Sequence, residues 1–182
     1  IVGEDDRALQ PAGEIADAYV PVNARQIRLV KPKSDGKVGD TLLITRPSTA
    51  EWIKQLQMDD MGGDRHGFSW KPGSRDITWD RTITAIDGDT ITIDSPLTLA
   101  IDKALGGGTV ASYNWAGRIT NVGIENLRVQ SEYDATNLKD ESHAWMAITI
   151  ENARDVWVRQ VNFHHFAGSA VCAWETVSRL TV

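Results

Sequence analysis

Of the 182 residues only one is a cysteine, Cys172, so no disulfide can form within the chain. That thiol falls in the apolar run Ala170-Val171-Cys172-Ala173, which reads as core filler rather than as a nucleophile. Positive charge is also short: 19 Lys and Arg stand against 25 Asp and Glu, for a net charge of −6. With no basic stripe to offset that balance, nucleic acid is not expected as a partner. No stretch approaches the roughly 18 apolar residues of a membrane-spanning helix. No secretory signal precedes Ile1, and the chain does not start with Met. It ends at Leu180-Thr181-Val182, inside a repeat described next, which leads us to expect a segment of a longer protein, with further repeats and a signal sequence outside it. What the chain does hold is 41% hydrophobic residues, enough for a globular core.

One pattern is written three times. Val122-x-Ile124-x-x-Leu127-x-Val129 recurs as Val156-x-Val158-x-x-Val161-x-Phe163, and its opening recurs as Leu180-x-Val182. The copies lie 34 and then 24 positions apart, and the longer spacing contains a polar segment, Gln130 to His143, able to bulge from a shorter repeat. Each copy holds two alternating apolar pairs separated by a corner, so it predicts two short strands rather than a helix. One such copy cannot bury its apolar face alone, whereas stacked copies bury a continuous core. The expected architecture of this region is a parallel β-helix.

Upstream the signals differ. Residues 1–18 mix acids, Gly3, Pro11 and Gly13 without periodicity, which suggests a connector or the fringe of a rung. Tyr19-x-Pro21 and Ile27-x-Leu29 predict two strands, and Pro32 to Gly39 a turn. Gly39–Thr45 reads as a strand, and Ser48 or Thr49 can cap a short helix over 50–58 with Trp52, Ile53 and Leu56 on one face. Residues 75–101 read as a hairpin, with strands over 76–86 and 90–94 around Asp87-Gly88-Asp89. Gly106-Gly107-Gly108 reads as a flexible turn, since a phosphate loop would need a lysine, a serine and a helix start, and 109–113 as a strand re-entering the main body. The expected division is therefore a connector with a partial rung over 1–30, an inserted antiparallel β-module over 31–108, and parallel rungs over 109–182. The fold class is all-β.

The segments "RITNVGIENLRVQS", "AITIENARDVWVRQVNFHHF" and "AGSAVCAWETVSRLTV" resemble those of right-handed parallel β-helix proteins of the pectate-lyase-like superfamily. "IENARDVWVRQVNF" is the most specific piece, with Asn152 at the place where that superfamily sets a polar residue in a turn between sheets. "VGDTLLITRPSTAEWI" with "ITAIDGDTITIDSPLTLAID" is similar to a β-rich insertion of large bacterial members. The resemblance implies an extracytoplasmic protein acting on polysaccharide, and it specifies fold better than reaction. The paired aspartates of pectin-cleaving hydrolases are absent, as is the acidic calcium cluster with arginine base of pectate lyases.

The polar segment "QSEYDATNLKDESHAW" is the strongest candidate for chemistry. A loop bulging from stacked strands costs little and is where binding residues collect. Asp140, Glu141 and His143 at its end offer carboxylate and imidazole for proton transfer near neutral pH, the alternative being ordinary solvated charges. His164 and His165 follow the second copy directly and are expected to point opposite ways, so at most one faces the loop; the alternative for that one is a corner histidine bonded to backbone. Trp145 and Trp174 flank the expected groove, where aromatic faces would stack on sugar rings; core packing is the alternative. Trp157, between core positions, points outward. Arg118 and Arg159 are candidates to meet the carboxylate of an acidic sugar, or simply surface ion pairs. Asp59, Asp60 and Asp64 resemble a calcium loop in composition alone, without ordered ligand spacing, so no cofactor is expected beyond a weak suggestion of calcium.

These residues lead to a monomer that cleaves a polysaccharide, by elimination of a uronate polymer or by hydrolysis. His143 or His164 would act as base or acid, with Asp140 and Glu141 beside them. Two alternatives stay open: a glycan-binding or adhesive solenoid without catalysis, and a scaffold segment whose active site lies elsewhere.

Overall fold

The computed structural model describes residues 1–30, 36–62 and 67–182. Its described residues are all-β apart from one short helix and short 3-10 turns, and no helix among them is long and apolar enough to cross a membrane. The chain forms two compact units, Ala8–Asn114 and a second made of Ile1–Arg7 with Trp115–Val182.

The first unit is a closed antiparallel barrel. Its elements in chain order are β1 (Ala8–Ile15), β2 (Tyr19–Val20), β3 (Gln26–Val30), β4 (Thr41–Arg46), α1 (Ala50–Gln55), β5 (Ile77–Asp87), β6 (Thr90–Ile93), β7 (Ile101–Asp102) and β8 (Thr109–Asn114). Around the barrel the order is β1-β3-β6-β5-β4-β8, with β8 pairing back onto β1. Alternation drives it: Ile27 and Leu29, Leu42 and Ile44, and Ile91 and Ile93 all face one interior with Trp79, Ile83 and Val110. Closure leaves no free edge in that six-strand ring. The helix begins where Thr49 Oγ1 accepts from Trp52 N at 3.2 Å, and it buries Ile53. Gly88 takes the left-handed turn of the β5–β6 hairpin at φ 58°.

The expected boundaries shift. Residues 8–30, read as connector and partial rung, belong to this barrel, and β8, read as a strand re-entering the main body, closes it. Pro11 and Gly13 hide β1 from the alternation, because they sit at a bulge where the register slips. The predicted strand from Tyr19 shrinks to two residues paired with β7. Of the predicted turn from Pro32 to Gly39, residues 32–35 lie outside the described residues, as do Gly63 and Asp64 of the predicted loop from Met61.

The second unit is built from layers of parallel strands: β9 (Ile119–Gln130), β10 (Met146–Ile150), β11 (Ala153–His164), β12 (Ser169–Ala173) and β13 (Ser178–Thr181). β11 lies between β9 and β13, and β10 pairs with β12. The repeat of the sequence is the register of the sheet. Val122 pairs with Val156, Ile124 with Val158, Leu127 with Val161 and Val129 with Phe163, while Val156 also pairs with Leu180. Ile148, Ile150, Ala153, Val156 and Val158 form the buried centre.

The two-residue gap inside each copy also has a cause. Asn126 and Gln160 are left-handed, at φ 55° and 53°, and the ladder pairs their neighbours but skips both of them. Each bends its strand and shifts the alternation by one, so Val156 and Val158 face the core before Gln160, and Val161 and Phe163 after it. A second such ladder runs through Asn121, Asp155 and Arg179 at φ 55°, 57° and 53°. Asn152 stands at a further left-handed turn, φ 50°, where its backbone N donates to Thr176 Oγ1.

The first short layer comes from the start of the chain. Val2 bridges Glu151 in parallel, the Ile1 nitrogen donates to Thr149 O at 2.8 Å, and Gly3 N donates to Glu151 O at 3.1 Å. The barrel is thus inserted, in chain order, within one layer. Departing and returning segments meet where Glu4 N donates to Gly117 O at 2.9 Å. A Cβ on Gly3 would lie 2.4 Å from Asn152 O, and one on Gly117 2.7 Å from Glu4 O, so neither site has room for a side chain.

Gln160 tests the corner. Gln160→Gly should hold or raise stability, while Gln160→Val should cost about 1–3 kcal/mol, since a β-branched residue resists the left-handed region. The reading is urea unfolding of the full chain, and equal midpoints for the two variants would refute a left-handed corner.

Candidate functional site

The loop between β9 and β10 is ordered by its own side chains. It leaves β9 at Ser131, which is 9% exposed and whose N donates to His164 O at 3.1 Å. Ser131 Oγ donates to Glu132 O and accepts from Ala144 N, tying the two ends of the loop together. Asp134 Oδ1 accepts from both N and Oγ1 of Thr136, a turn that Asp residues make readily. At the centre sits Asp140: Oδ2 accepts from Asp134 N at 2.9 Å and Oδ1 from Ser142 N at 2.9 Å, while Oδ2 also lies 3.0 Å from His143 Nδ1. The Asp134 and Ser142 amides, with His143 adding to them, hold the Asp140 carboxyl below the usual carboxylate range. Thr136 does the same for Asp134.

His143 is also part of an aromatic cluster. The Tyr133 ring stacks on His165 with centres 4.2 Å apart and planes 20° apart, and its centre lies 6.2 Å from that of His143. His164 stands 5.9 Å from His165, centre to centre. His165 is left-handed, φ 61°, as the chain leaves β11, so the simple up-and-down alternation expected for the His pair ends there. The fold therefore sets His143 and His165 beside Tyr133, which is 45% exposed, with His164 next to His165 and Asp140 on His143. Tyr133 was not singled out from the sequence; a lone aromatic in a polar loop was the available signal.

The other candidates lie apart from this cluster or are engaged. Glu141 contributes its carbonyl, which accepts from Trp145 Nε1 at 3.0 Å. Trp145, half exposed, lies against Gly168, where a Cβ would come 3.1 Å from its ring. Trp174 is equally exposed but follows β12, whereas Trp145 precedes β10. The β10–β12 register sets the two at opposite ends of that sheet, roughly 20 Å apart at about 3.3 Å per residue. Arg118 donates through Nη2 to Ser178 Oγ at 2.8 Å, and its guanidinium lies 4.6 Å from the centre of the Trp115 ring. Arg159 meets both oxygens of Glu125, at 2.9 Å each, and Trp157 donates to the same carboxylate while lying flat over Gly123. Arg159 chiefly, then Trp157, lowers the Glu125 pKa. Both arginines are thus engaged within the protein; the sequence shows the charges but not their partners.

Among the described residues no group of three or more His, Cys, Asp or Glu is placed to hold a metal ion. Of the acidic group suggested for calcium, Asp60 caps Gly62 N at 2.9 Å and Asp64 lies outside the described residues. The chemistry on hand is that of an imidazole with a carboxylate on Nδ1. A proton held between Nδ1 and Asp140 leaves Nε2 as the ring's acceptor.

The Asp140 pKa is lowered on folding, so its contribution to loop order is complete above the unfolded value and is lost as pH falls through the folded one. The amide resonances of Asp134 and Ser142 should hold steady from neutral pH to about 4 and move together below it. Their titration near pH 6 instead would place control of the loop elsewhere.

The chain matches no protein-family model and no curated protein sequence. It is similar to three solved tailspike structures. For the tailspike protein gp49 from Pseudomonas phage LKA1 the TM-score is 0.40 at 17% identity, over 89% of this chain and 23% of that one. For the gp54 tailspike of Acinetobacter baumannii bacteriophage AP22, in complex with A. baumannii capsular saccharide, it is 0.47 at 10% identity, over 96% and 34%. For the tailspike gp61 of Pseudomonas phage phi297 it is 0.43 at 15% identity, over 96% and 31%. This chain therefore spans about a third or less of the length of each.

Proposed function

We propose that the chain is part of an extracytoplasmic carbohydrate-active protein, its layered unit a stretch of right-handed parallel β-helix that holds a polysaccharide at the 131–145 loop. The observation that carries this is the Tyr133–His165 stack with His143 and His164 beside it. A sugar ring offers CH groups on its faces and hydroxyls around its rim. An exposed phenol ring can cover the first, and imidazole nitrogens can bond the second. The loop is held to β11 through Ser131 and His164, so these rings are placed before a ligand arrives, which lowers the ordering cost of binding. Because Arg118 and Arg159 are already engaged, the reading favours a neutral polysaccharide over the uronate expected from the sequence.

A second reading, cleavage, is favoured by the pairing of His143 with Asp140. In it, Nε2 of His143 removes a proton from water or substrate and Asp140 steadies the imidazolium that results.

Polysaccharide binding by the full chain, followed by affinity electrophoresis, should weaken about tenfold in Tyr133→Ala, the loss of one stacking contact. Unchanged mobility of Tyr133→Ala on every glycan that the unaltered chain binds would dismiss the site. Release of oligosaccharide separates the readings. Cleavage requires that the unaltered chain release fragments and that His143→Ala stop doing so while still binding; binding without release leaves the first reading alone.

A further inference from the structure

The barrel has a pocket that the 131–145 loop does not explain. It encloses about 290 Å³ beside β2, β3 and the start of β6. That size is at the low end for ligand pockets and suits one ring rather than a chain. Val20 and Ile27, 2% and 1% exposed, lie behind it in the barrel core, and Tyr19 on its wall is 58% exposed. A ring stacked on Tyr19 would cover part of that exposed residue.

The polar rim defines the class of ligand. Arg28 donates from backbone N and from Nε to the two oxygens of Asp17, at 2.8 and 2.9 Å. Asp17 chiefly, with Asp89 contributing through space, raises the Arg28 pKa. The one cation of the rim is therefore already paired with a carboxylate, and a further anion would find no unpaired positive charge there. Gln26, whose Nε2 donates to Thr92 Oγ1 at 3.4 Å, and Thr90, whose Oγ1 donates to Asp89 Oδ1 at 3.4 Å, complete the rim, and each keeps further donor or acceptor positions. An exposed aromatic wall and a polar rim without spare positive charge match a neutral ring carrying several hydroxyls.

We propose that this pocket is a second sugar site, taking one neutral hexose unit with its face on Tyr19 and its hydroxyls on Gln26, Thr90 and the outer edge of the Arg28–Asp17 pair. It extends the carbohydrate reading to the other unit of the chain, and it stands or falls separately from the loop.

The test is a titration of the isotope-labelled full chain with the methyl glycosides of glucose, galactose and mannose, and with methyl galacturonoside, read by amide and Tyr side-chain resonances. At least one neutral glycoside should produce saturable shifts at Tyr19, Gln26 and Thr90 in the millimolar range, with the uronoside at least tenfold weaker. Tyr19→Ala and Gln26→Ala should each remove those shifts, and Tyr133→Ala should leave them intact. The proposal is overturned if no neutral glycoside moves these resonances, if the uronoside binds as well, or if both barrel variants respond like the unaltered chain. Loss of polysaccharide binding in Tyr133→Ala with the barrel shifts preserved is the result expected if both sites exist.

Discussion

Parallel strands in register impose one condition on everything attached to them: whatever happens at one level must fit the level beside it. In the layered unit the condition falls hardest on the corners, because a bend in one strand must be matched in the next. The chain meets it by placing left-handed residues above one another, Asn126 on Gln160 and Asn121 on Asp155 on Arg179. Asn accepts that conformation cheaply, while Asp155 and Arg179 add an ion pair along their ladder. Val156 and Val158 can bury themselves only because those corners let the alternation restart on the correct side.

The candidate site depends on the same stacking. β9 ends at Gln130 opposite His164, so the departure of the loop and the end of β11 fall at one level. Ser131 joins them through the backbone and holds the far end of the loop through Ala144. Asp140 then gathers three donors from within the loop. A departure from the repeat thus acquires its own internal order, and its aromatic rings are fixed relative to the strands beneath.

How much of this was legible varies with the range of the interaction. The repeat could be read because Val122, Val156 and Leu180 keep one spacing pattern, which the ladder preserves position by position. The hairpin around Gly88 was equally plain, being local. β1 was not, since Pro11 and Gly13 erase its alternation and its hydrogen bonds come from a strand about a hundred residues later. Ile1 to Gly3 looked like connector because three residues cannot display a period. At the site, Asp140 and His143 were close enough in sequence to be paired on paper, whereas Tyr133 with His165 was not. For Arg118 and Arg159 the sequence omits the partners, Ser178 and Glu125, that hold them.

The passage of the chain through Gly3 and Gly117 also sets an order of assembly. The contact between Ile1 and Thr149 spans 148 residues. Residues 1–3 therefore wait for the strand that ends at Ile150 before their own layer can form. Closing so long a loop is slow when it must be done by diffusion, but a barrel that folds as a unit shortens the effective separation by bringing its own two ends together, as β1 and β8 do in pairing Ala8 with Asn114. The inserted barrel then acts as a clasp in time as well as in space, delivering Glu4 to Gly117 and allowing the first layer to be laid against the second.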